Sequence, residues 1–290
     1  LLVGTSQFTS LQMRTWDTLS SLTWLVEAGA DESIQDSPSN RLMPDGVHGN
    51  EPQTSSTPLD QREVSSNSDR SPLISAGSAT MVPNTEEARL SAAASRNLDQ
   101  LRLAVEAFDG CGLKRTAMNT VFADGNPHAD LMLMGEAPGA EEDRKGLPFV
   151  GAAGHLLDRM LAAIDRDRTL AYISNILFWR PPGNRNPTNE EIALCLPFVQ
   201  RHIALVRPRV LVLVGGIAAK TLLNRSEGIT RLRGKWYKYC PDDSGVPVDA
   251  TAVFHPAFLL RKGHQKRETW QDLISIRDRL TDPEVFEGGK

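Results

Sequence analysis

Three polar side chains that could do chemistry each follow a short apolar run of the sequence. Glu136 comes one residue after the run Leu-Met-Leu-Met, Asn175 ends the run Tyr-Ile-Ser-Asn, and His255 follows Ala-Val-Phe. A carboxylate can act as a general acid or base, and an imidazole as an electrophile or a general acid–base. The asparagine amide places an acceptor beside two donors, which suits recognition of another amide edge. A purely structural role is the open alternative for Asn175.

The loop that contains Glu136 is rich in glycine and in carboxylates. Glu141, Glu142 and Asp143 are explained equally well as acidic residues at a helix N-terminus, which the helix dipole favours. That explanation does not extend to Glu136, which lies at the end of the apolar run. Phe149 follows in a Gly/Pro-rich stretch, where its ring could belong to the core or stack on a base. The glycines match neither the dinucleotide-binding pattern nor the P-loop.

Two further loops combine cations with stiff or apolar residues. Arg180 and Arg185 lie in the segment RPPGNRNP, whose prolines could hold the backbone close to phosphates or simply form a solvated turn. After His255, the triplet Phe-Leu-Leu is followed by Arg261 and Lys262. An apolar wedge flanked by cations could enter a duplex groove while the charges contact phosphates.

Alternation of apolar runs with helical patterns predicts the elements that position these loops. Strands are expected at 131–134, 172–176, 210–214 and 252–254, and helices at 84–108, 156–164, 188–206, 217–223 and 266–280. Thr188 and Glu191 form the capping-box pattern that starts the third of these helices. Four strands alternating with helices indicate an α/β fold with a parallel sheet covered on both faces. Ligands of such sheets bind at the carboxyl ends of the strands, which is where the three polar side chains lie.

The overall charge of −4 hides two regions of opposite balance. The first 100 of the 290 residues contain six arginines, no lysine and 13 acidic residues, whereas the remainder carries a small excess of basic residues. An acidic average therefore does not exclude a nucleic-acid partner. No run approaches the ~20 apolar residues of a membrane span. No signal peptide opens the chain, and three cysteines are too few for a disulfide scaffold, so we expect a cytoplasmic protein.

Composition divides the chain into three parts. Residues 1–35 are expected to form a helical extension, because Trp16, Leu19, Leu22 and Val26 recur at helical spacing; this helix could dock a partner or fold back onto the body. Residues 36–85 hold ten serines, six prolines and no aromatic residue, which predicts a disordered linker. Residues 86–290 form the predicted catalytic domain.

Three motifs in that domain resemble those of the uracil-DNA glycosylase superfamily, and most of all its family 4 branch. They are GEAPGAEED…GLPFVG, SNILFWRPPGNRNP and HPAFLLR, and the resemblance covers roughly residues 98–280. It implies a three-layer αβα sandwich around a four-stranded parallel sheet. It also implies hydrolysis of the N-glycosidic bond of uracil in single- or double-stranded DNA, by base flipping and without lyase activity. We expect a monomer with no membrane partner.

The resemblance also implies roles for individual residues. The expected catalytic residues are Glu136, Glu142 and His255, the last facing the uracil O2 and stabilising the departing anion. The residues expected to surround uracil are Gly135, Ala137, Phe149, Asn175 and Asn184. The residues expected to contact DNA are Arg180, Arg185, Leu259, Leu260, Arg261 and Lys262. Better-known members carry an aspartate where this chain has Ala137, so leaving-group stabilisation is expected to contribute more of the rate than a strong general base.

The cysteines depart from the family pattern. Family 4 enzymes typically hold a [4Fe–4S] cluster with four cysteines, and the corresponding positions here are Phe108, Cys111, Trp179 and Cys195. Two thiolates cannot hold such a cluster, so we expect no cofactor and no metal. Two alternatives to a turnover enzyme remain: a non-catalytic DNA-binding module, and a branch that traps uracil-DNA covalently through a histidine after the second strand. The loop PPGNRNPT contains no histidine.

Overall fold

The structure is a computed structural model that describes residues 83–241 and 247–281. The predicted helical extension at 1–35 lies outside the described residues, as does the predicted linker at 36–85 up to residue 82. Both therefore stay predictions. Within the described residues, no helix combines the length and the apolar character that crossing a membrane requires.

The described residues contain one mixed sheet of six strands in the order β1-β3-β2-β4-β6-β5. The inner four are parallel and correspond to the predicted strands, whereas the two outer strands run antiparallel to their neighbours. The expectation of a purely four-stranded parallel sheet was therefore wrong at both edges. The strands are β1 Asp124–Gly125, β2 Leu131–Gly135, β3 Ala171–Asn175, β4 Val210–Val214, β5 Trp236–Tyr239 and β6 Val248–Val253.

Helices connect the parallel strands as predicted, with one difference near the start. The pattern at 84–108 forms two helices and not one, because Asn97 caps the second by accepting a hydrogen bond from the Gln100 N–H at 2.9 Å. The predicted capping box of Thr188 and Glu191 is confirmed. The α-helices are α1 Pro83–Ala94, α2 Leu98–Ala107, α3 Ala140–Lys145, α4 Ala152–Ala162, α5 Asn189–Val206, α6 Gly216–Leu223, α7 Ile229–Leu232, α8 Pro256–Arg261 and α9 Lys266–Thr281. Short 3-10 turns cover Gly112–Arg115, Pro182–Asn184 and Gly263–Gln265.

The sheet separates two apolar cores. Because side chains alternate along a strand, Met132 and Met134 of β2 pack in one core with residues of α1, α2, α5 and α6. Leu131 and Leu133 face the other way, into a core shared with α4, α8 and α9. Helices thus cover both faces of the sheet in three layers. Complete burial of each such side chain stabilises the fold by roughly 1.5–3 kcal/mol. This packing holds the parallel strands in register, so that their carboxyl ends lie at one edge of the sheet.

Candidate active site

A cleft of about 450 Å³ opens at the carboxyl edge of β2, β3 and β6. It brings together residues of all three motifs, as the strand-edge argument predicted. The predicted site residues that line it are Glu136, Ala137, Glu142, Phe149, Asn175, Asn184, Arg185, His255 and Arg261. The others, described below, lie behind or beside it.

Asn175 supplies a buried amide to the cleft. It ends β3, is 2 % exposed, and its Oδ1 has no hydrogen-bond partner among the described residues. An unsatisfied buried acceptor costs about 1–3 kcal/mol, a cost that a ligand N–H would remove. Gly135 lies opposite it in the sheet register, and a Cβ atom there would stand 2.3 Å from Oδ1 and 2.6 Å from the Phe149 ring. Gly135 is not among the residues that line the cleft, but its lack of a side chain makes room for Asn175 and Phe149.

Phe149 presents an aromatic ring to the same cleft from a strained backbone. Its φ is +53°, in the left-handed region that few residues other than glycine adopt. The ring is 5 % exposed, and its centroid lies 5.7 Å from that of the His255 imidazole. Gly154 of α4 allows this arrangement, because a Cβ atom there would collide with the Phe149 carbonyl oxygen at 1.7 Å.

The carboxylate of Glu142 holds the first motif together. Its Oε1 accepts hydrogen bonds from the backbone N–H groups of Val150 and Gly151, both at 2.9 Å, and its Oε2 accepts one from Gly139 at 3.1 Å. These bonds tie the start of α3 to the segment that follows Phe149. Both carboxylate oxygens are thereby occupied, so the contacts of Glu142 are those of a residue that positions the loop.

Glu136 differs from Glu142 in its surroundings. It is half-buried at the exit of β2, and burial raises the pKa of its carboxyl group above the ordinary value. Its backbone is fixed, because its carbonyl accepts a hydrogen bond from the Leu177 N–H at 3.0 Å. Glu136 and Ala137 both line the cleft, so the carboxyl group offers an acceptor at the cleft wall.

His255 is held in one tautomer by the helix that it starts. As the N-cap of α8, its Nδ1 accepts a hydrogen bond from the Ala257 N–H at 3.1 Å. Nδ1 therefore carries no proton, and the neutral ring bears its proton on Nε2. Burial, and then the charge of Arg261, lower the pKa of His255 to about 4, while Glu142 acts weakly in the opposite direction. At neutral pH the ring is thus an uncharged N–H donor.

Cations surround the mouth of the cleft, but two of them are already engaged. The Arg180 Nε donates to the Asn184 Oδ1 at 2.7 Å, and Arg185 pairs with Glu191 at 2.6 Å. Asn184 adopts a positive φ of 54° that fixes the turn of the second motif. Arg185 lines the cleft, whereas Arg180 is half-buried beside it.

The third motif divides its residues between surface and core. Leu260 is 48 % exposed, and Arg261 and Lys262 are exposed next to it. Leu259 is 0 % exposed and packs in the core beneath the sheet. The predicted DNA contact at Leu259 was therefore wrong, because consecutive residues of α8 point in different directions around the helix.

At two of the four positions where the resemblance implies cluster cysteines, the structure holds packed aromatic side chains. Cys111 and Cys195 are buried free thiols, but Phe108 and Trp179 are 3 % and 1 % exposed. The Phe108 ring packs on Phe198 at 5.2 Å, and the Trp179 indole donates to the Thr120 hydroxyl at 3.0 Å. Over residues 83–241 and 247–281, no group of three or more His, Cys, Asp or Glu side chains could hold a metal ion. The residues present do not fit a four-cysteine iron–sulfur cluster.

Six residues that line the cleft were not among the predicted site residues: Pro138, Gly139, Ala153, Pro181, Ala257 and Phe258. Two further residues, which do not line the cleft, support predicted site residues and were also not predicted. Gly215 (φ +100°) approaches His255 so closely that a Cβ atom would lie 3.1 Å from the histidine Cβ. Arg168 contacts the backbone of Phe149. Neither carries a local sequence signal, because their partners are 40 and 19 residues away along the chain.

Comparison with known proteins agrees with the geometry. A family model described as the uracil DNA glycosylase superfamily matches residues 122–274. The type-4 uracil-DNA glycosylase of Archaeoglobus fulgidus is 39 % identical over 184 residues, which are 62 % of this chain and 92 % of the relative. The type-4 enzyme of Pyrobaculum aerophilum is 36 % identical over 195 residues (64 % and 98 %), and that of Sulfurisphaera tokodaii 33 % identical over 204 residues (67 % and 92 %).

Proposed function

Because the chain belongs to the uracil-DNA glycosylase superfamily, we propose that its cleft takes up a uracil flipped out of DNA and hydrolyses the bond between base and deoxyribose. The product is an abasic site, as in base-excision DNA repair. One observation carries the proposal: a buried amide with a free acceptor and a neutral imidazole N–H line the same cleft as an aromatic ring. The free thiols of Cys111, Cys195 and Cys240 support a reducing compartment such as the cytoplasm. We further propose action as a monomer on single- or double-stranded DNA.

Recognition of uracil follows from the donor and acceptor pattern of its edge. Uracil presents an N3–H donor beside the O4 acceptor. The Asn175 Oδ1 would accept from N3–H, and its Nδ2 would donate to O4. Cytosine presents the opposite pattern at both atoms, an acceptor at N3 and an amino donor at C4. An amide fixed in the orientation that serves uracil leaves both groups of cytosine facing like groups, which disfavours its binding.

Cleavage depends on charge that develops on the leaving base. As the bond from C1′ to N1 breaks, its electron pair stays on uracil, which departs as an anion. The Nε2–H of His255 would donate to the uracil O2, where much of that charge collects. A ring whose pKa is about 4 stays neutral through the reaction and acts as a fixed donor, because its Nδ1 is held by the Ala257 N–H. Such donors typically contribute ~10²–10³-fold to rate.

Water completes the reaction on the side of the sugar away from uracil. We assign Glu136 to hold this water, with its carboxylate accepting a hydrogen bond from it. The water oxygen bonds to C1′ and releases a proton to the carboxylate or to solvent. Ala137 provides no carboxylate of its own, so Glu136 is the acceptor that the first motif offers at the exit of β2.

Contact with DNA is assigned to the exposed residues around the mouth. Arg261 and Lys262 would contact phosphates directly, and Arg185 would do so by giving up part of its pairing with Glu191. Leu260 alone would enter the space that the flipped base leaves. Flipping itself costs roughly a few kcal/mol, which these contacts would offset. Arg180 would support Asn184 more than touch DNA, because its guanidinium already bonds the asparagine amide.

A cleavage assay with matched oligonucleotides tests the proposal. Duplexes that differ only in carrying uracil, cytosine or thymine at one position are incubated with the full chain and then treated with alkali. We expect breaks at uracil alone, only after alkali, and far fewer with Asn175→Ala. Absence of breaks at uracil would overturn the proposal in favour of a DNA-binding module. A protein–DNA adduct that survives denaturation would overturn it in favour of covalent trapping.

A further inference from the structure

The guanidinium group of Arg168 connects the segment around Phe149 to two acidic side chains. Its Nη2 donates to the Phe149 carbonyl oxygen at 2.5 Å, and its Nη1 donates to that of Pro148 at 3.2 Å. The same group pairs with Asp158 at 2.8 Å through Nε and with Asp124 at 2.5 Å through Nη1. Arg168 thus holds two consecutive carbonyl groups while its own orientation is fixed from the other side.

The backbone that Arg168 holds is one that needs support. Phe149 has a φ of +53°, and a conformation of this kind is unfavourable for a residue with a side chain unless surrounding contacts impose it. Gly154 lies against the same carbonyl group, and its lack of a side chain leaves the space that this group occupies. The Glu142 carboxylate fixes the following residue, Val150, from the opposite end of the motif. The ring direction of Phe149 is therefore set by contacts with its backbone.

The antiparallel edge of the sheet supplies part of this arrangement. The short strand β1 pairs with β3 so that Asp124 lies opposite Ile173. Gly125 follows with a φ of +96°, and a Cβ atom there would stand 2.9 Å from the carbonyl oxygen of Arg168. This close approach brings Asp124 to the guanidinium. The edge strand β1, which the sequence pattern did not predict, therefore positions Asp124 to pair with Arg168.

We propose that Arg168 is a positioning residue that presets the Phe149 ring for stacking on the flipped base. The inference rests on the proposed function, since it assigns a purpose to the ring only if a base enters the cleft. This role requires the planar, forked guanidinium group of arginine and not a positive charge alone. Lysine could still pair with Asp158 or Asp124, but it cannot reach two carbonyl groups and two carboxylates at once.

The test measures single-turnover uracil excision, with enzyme saturating, for Arg168→Lys, Phe149→Ala and the double variant. We expect Arg168→Lys to reduce the rate constant about tenfold or more, because charge-assisted bonds to the loop are lost. Since Arg168 acts through Phe149, the double variant should be no slower than Phe149→Ala alone. Arg233→Lys is the matched control: Arg233 also contacts two acidic residues and one carbonyl group, does not line the cleft, and should keep the full rate.

Gly154→Ala provides a second route to the same backbone. Its methyl group would displace the Phe149 carbonyl while Arg168, Asp124 and Asp158 all keep their side chains, so it should reproduce both the loss of rate and the absence of a further loss with Phe149→Ala. It decides the matter if Arg168→Lys does not fold. The inference is overturned if folded Arg168→Lys or Gly154→Ala keeps the wild-type rate, or if the losses multiply in the double variants. A wild-type enzyme that releases no uracil would instead overturn the proposed function.

Discussion

Replacement of His255 separates its two tasks, which are to cap α8 and to stabilise the departing base. The Nδ1 of His255 accepts the Ala257 N–H, and only Nε2 remains for a ligand. Asparagine is a good N-cap residue whose Oδ1 can accept the same N–H. Its amide is shorter than an imidazole, so no donor would reach the position of Nε2. His255→Asn should therefore fold as the wild type does and still lose activity.

The two losses have different sizes and can be measured apart. Removal of one donor to a developing anion costs ~10²–10³-fold in rate, or about 2.7–4 kcal/mol in the transition state. Removal of an N-cap costs roughly 0.5–2 kcal/mol of stability. His255→Ala should show both effects, whereas His255→Asn should show the first and little of the second.

The assay is single-turnover release of uracil, run beside urea unfolding of the same preparations. In the wild type, the contribution of His255 to the rate should not change between pH 6 and pH 9, because the ring is already neutral well above its pKa of about 4. A His255→Asn rate within a few fold of the wild type would refute the assignment of the leaving-group donor. If His255→Ala released uracil as fast as the wild type but was less stable, the role of His255 would be limited to capping α8.

Three further predictions address recognition, the first motif and stability against acid. Asn175→Asp should lower the rate constant of uracil release by more than tenfold in the same assay, because a carboxylate places a second acceptor against the uracil O4. Glu142→Ala should lower the free energy of unfolding by about 1–3 kcal/mol or more, measured in urea, because three backbone N–H groups lose their acceptor. Burial lowers the pKa of His202 to about 3, so the unfolded chain binds a proton at this residue before the folded chain does as the pH falls below 6.5. The contribution of His202 should lower the free energy of unfolding by ~2 kcal/mol at pH 5 relative to pH 7, measured as the difference between the wild type and His202→Gln.

Each of these has a clear contradicting result. Normal uracil excision by Asn175→Asp would remove the amide from base recognition. A Glu142→Ala protein as stable as the wild type would show that its hydrogen bonds contribute little to the loop. A loss of unfolding free energy between pH 7 and pH 5 that is as large in His202→Gln as in the wild type would mean that His202, whose Nε2 lies 2.9 Å from the Tyr172 hydroxyl, contributes none of it.

The inner sheet and the cleft were predictable from the sequence because their signals are local. A continuous apolar run such as Val210–Val214 predicts a strand buried on both faces, and polar residues at strand exits must meet at one edge. The edge strands were not predictable in the same way. Asp124–Gly125 contains no apolar residue, and Trp236–Tyr239 is partly exposed and includes a lysine.

Errors at individual residues trace to geometry that a linear pattern does not contain. The apolar triplet of the third motif suggested a wedge, but the helical turn places Leu259 in the core and leaves Leu260 at the surface. The sequence pattern did not predict the contacts of Arg168, because its acidic partners lie 10 and 44 residues away along the chain. Arg168 meets Asp124 only when β1 has paired with β3.

The most direct measurement of the central claim is the mass of a uracil-containing oligonucleotide after incubation with the full chain. We predict that each strand loses one uracil, gains one water, stays unbroken before alkali, and releases free uracil in equal amount. An unchanged mass would contradict the claim that the cleft of His255 and Asn175 hydrolyses the glycosidic bond. A strand broken without alkali, or one joined to the protein, would show a different reaction at the same site.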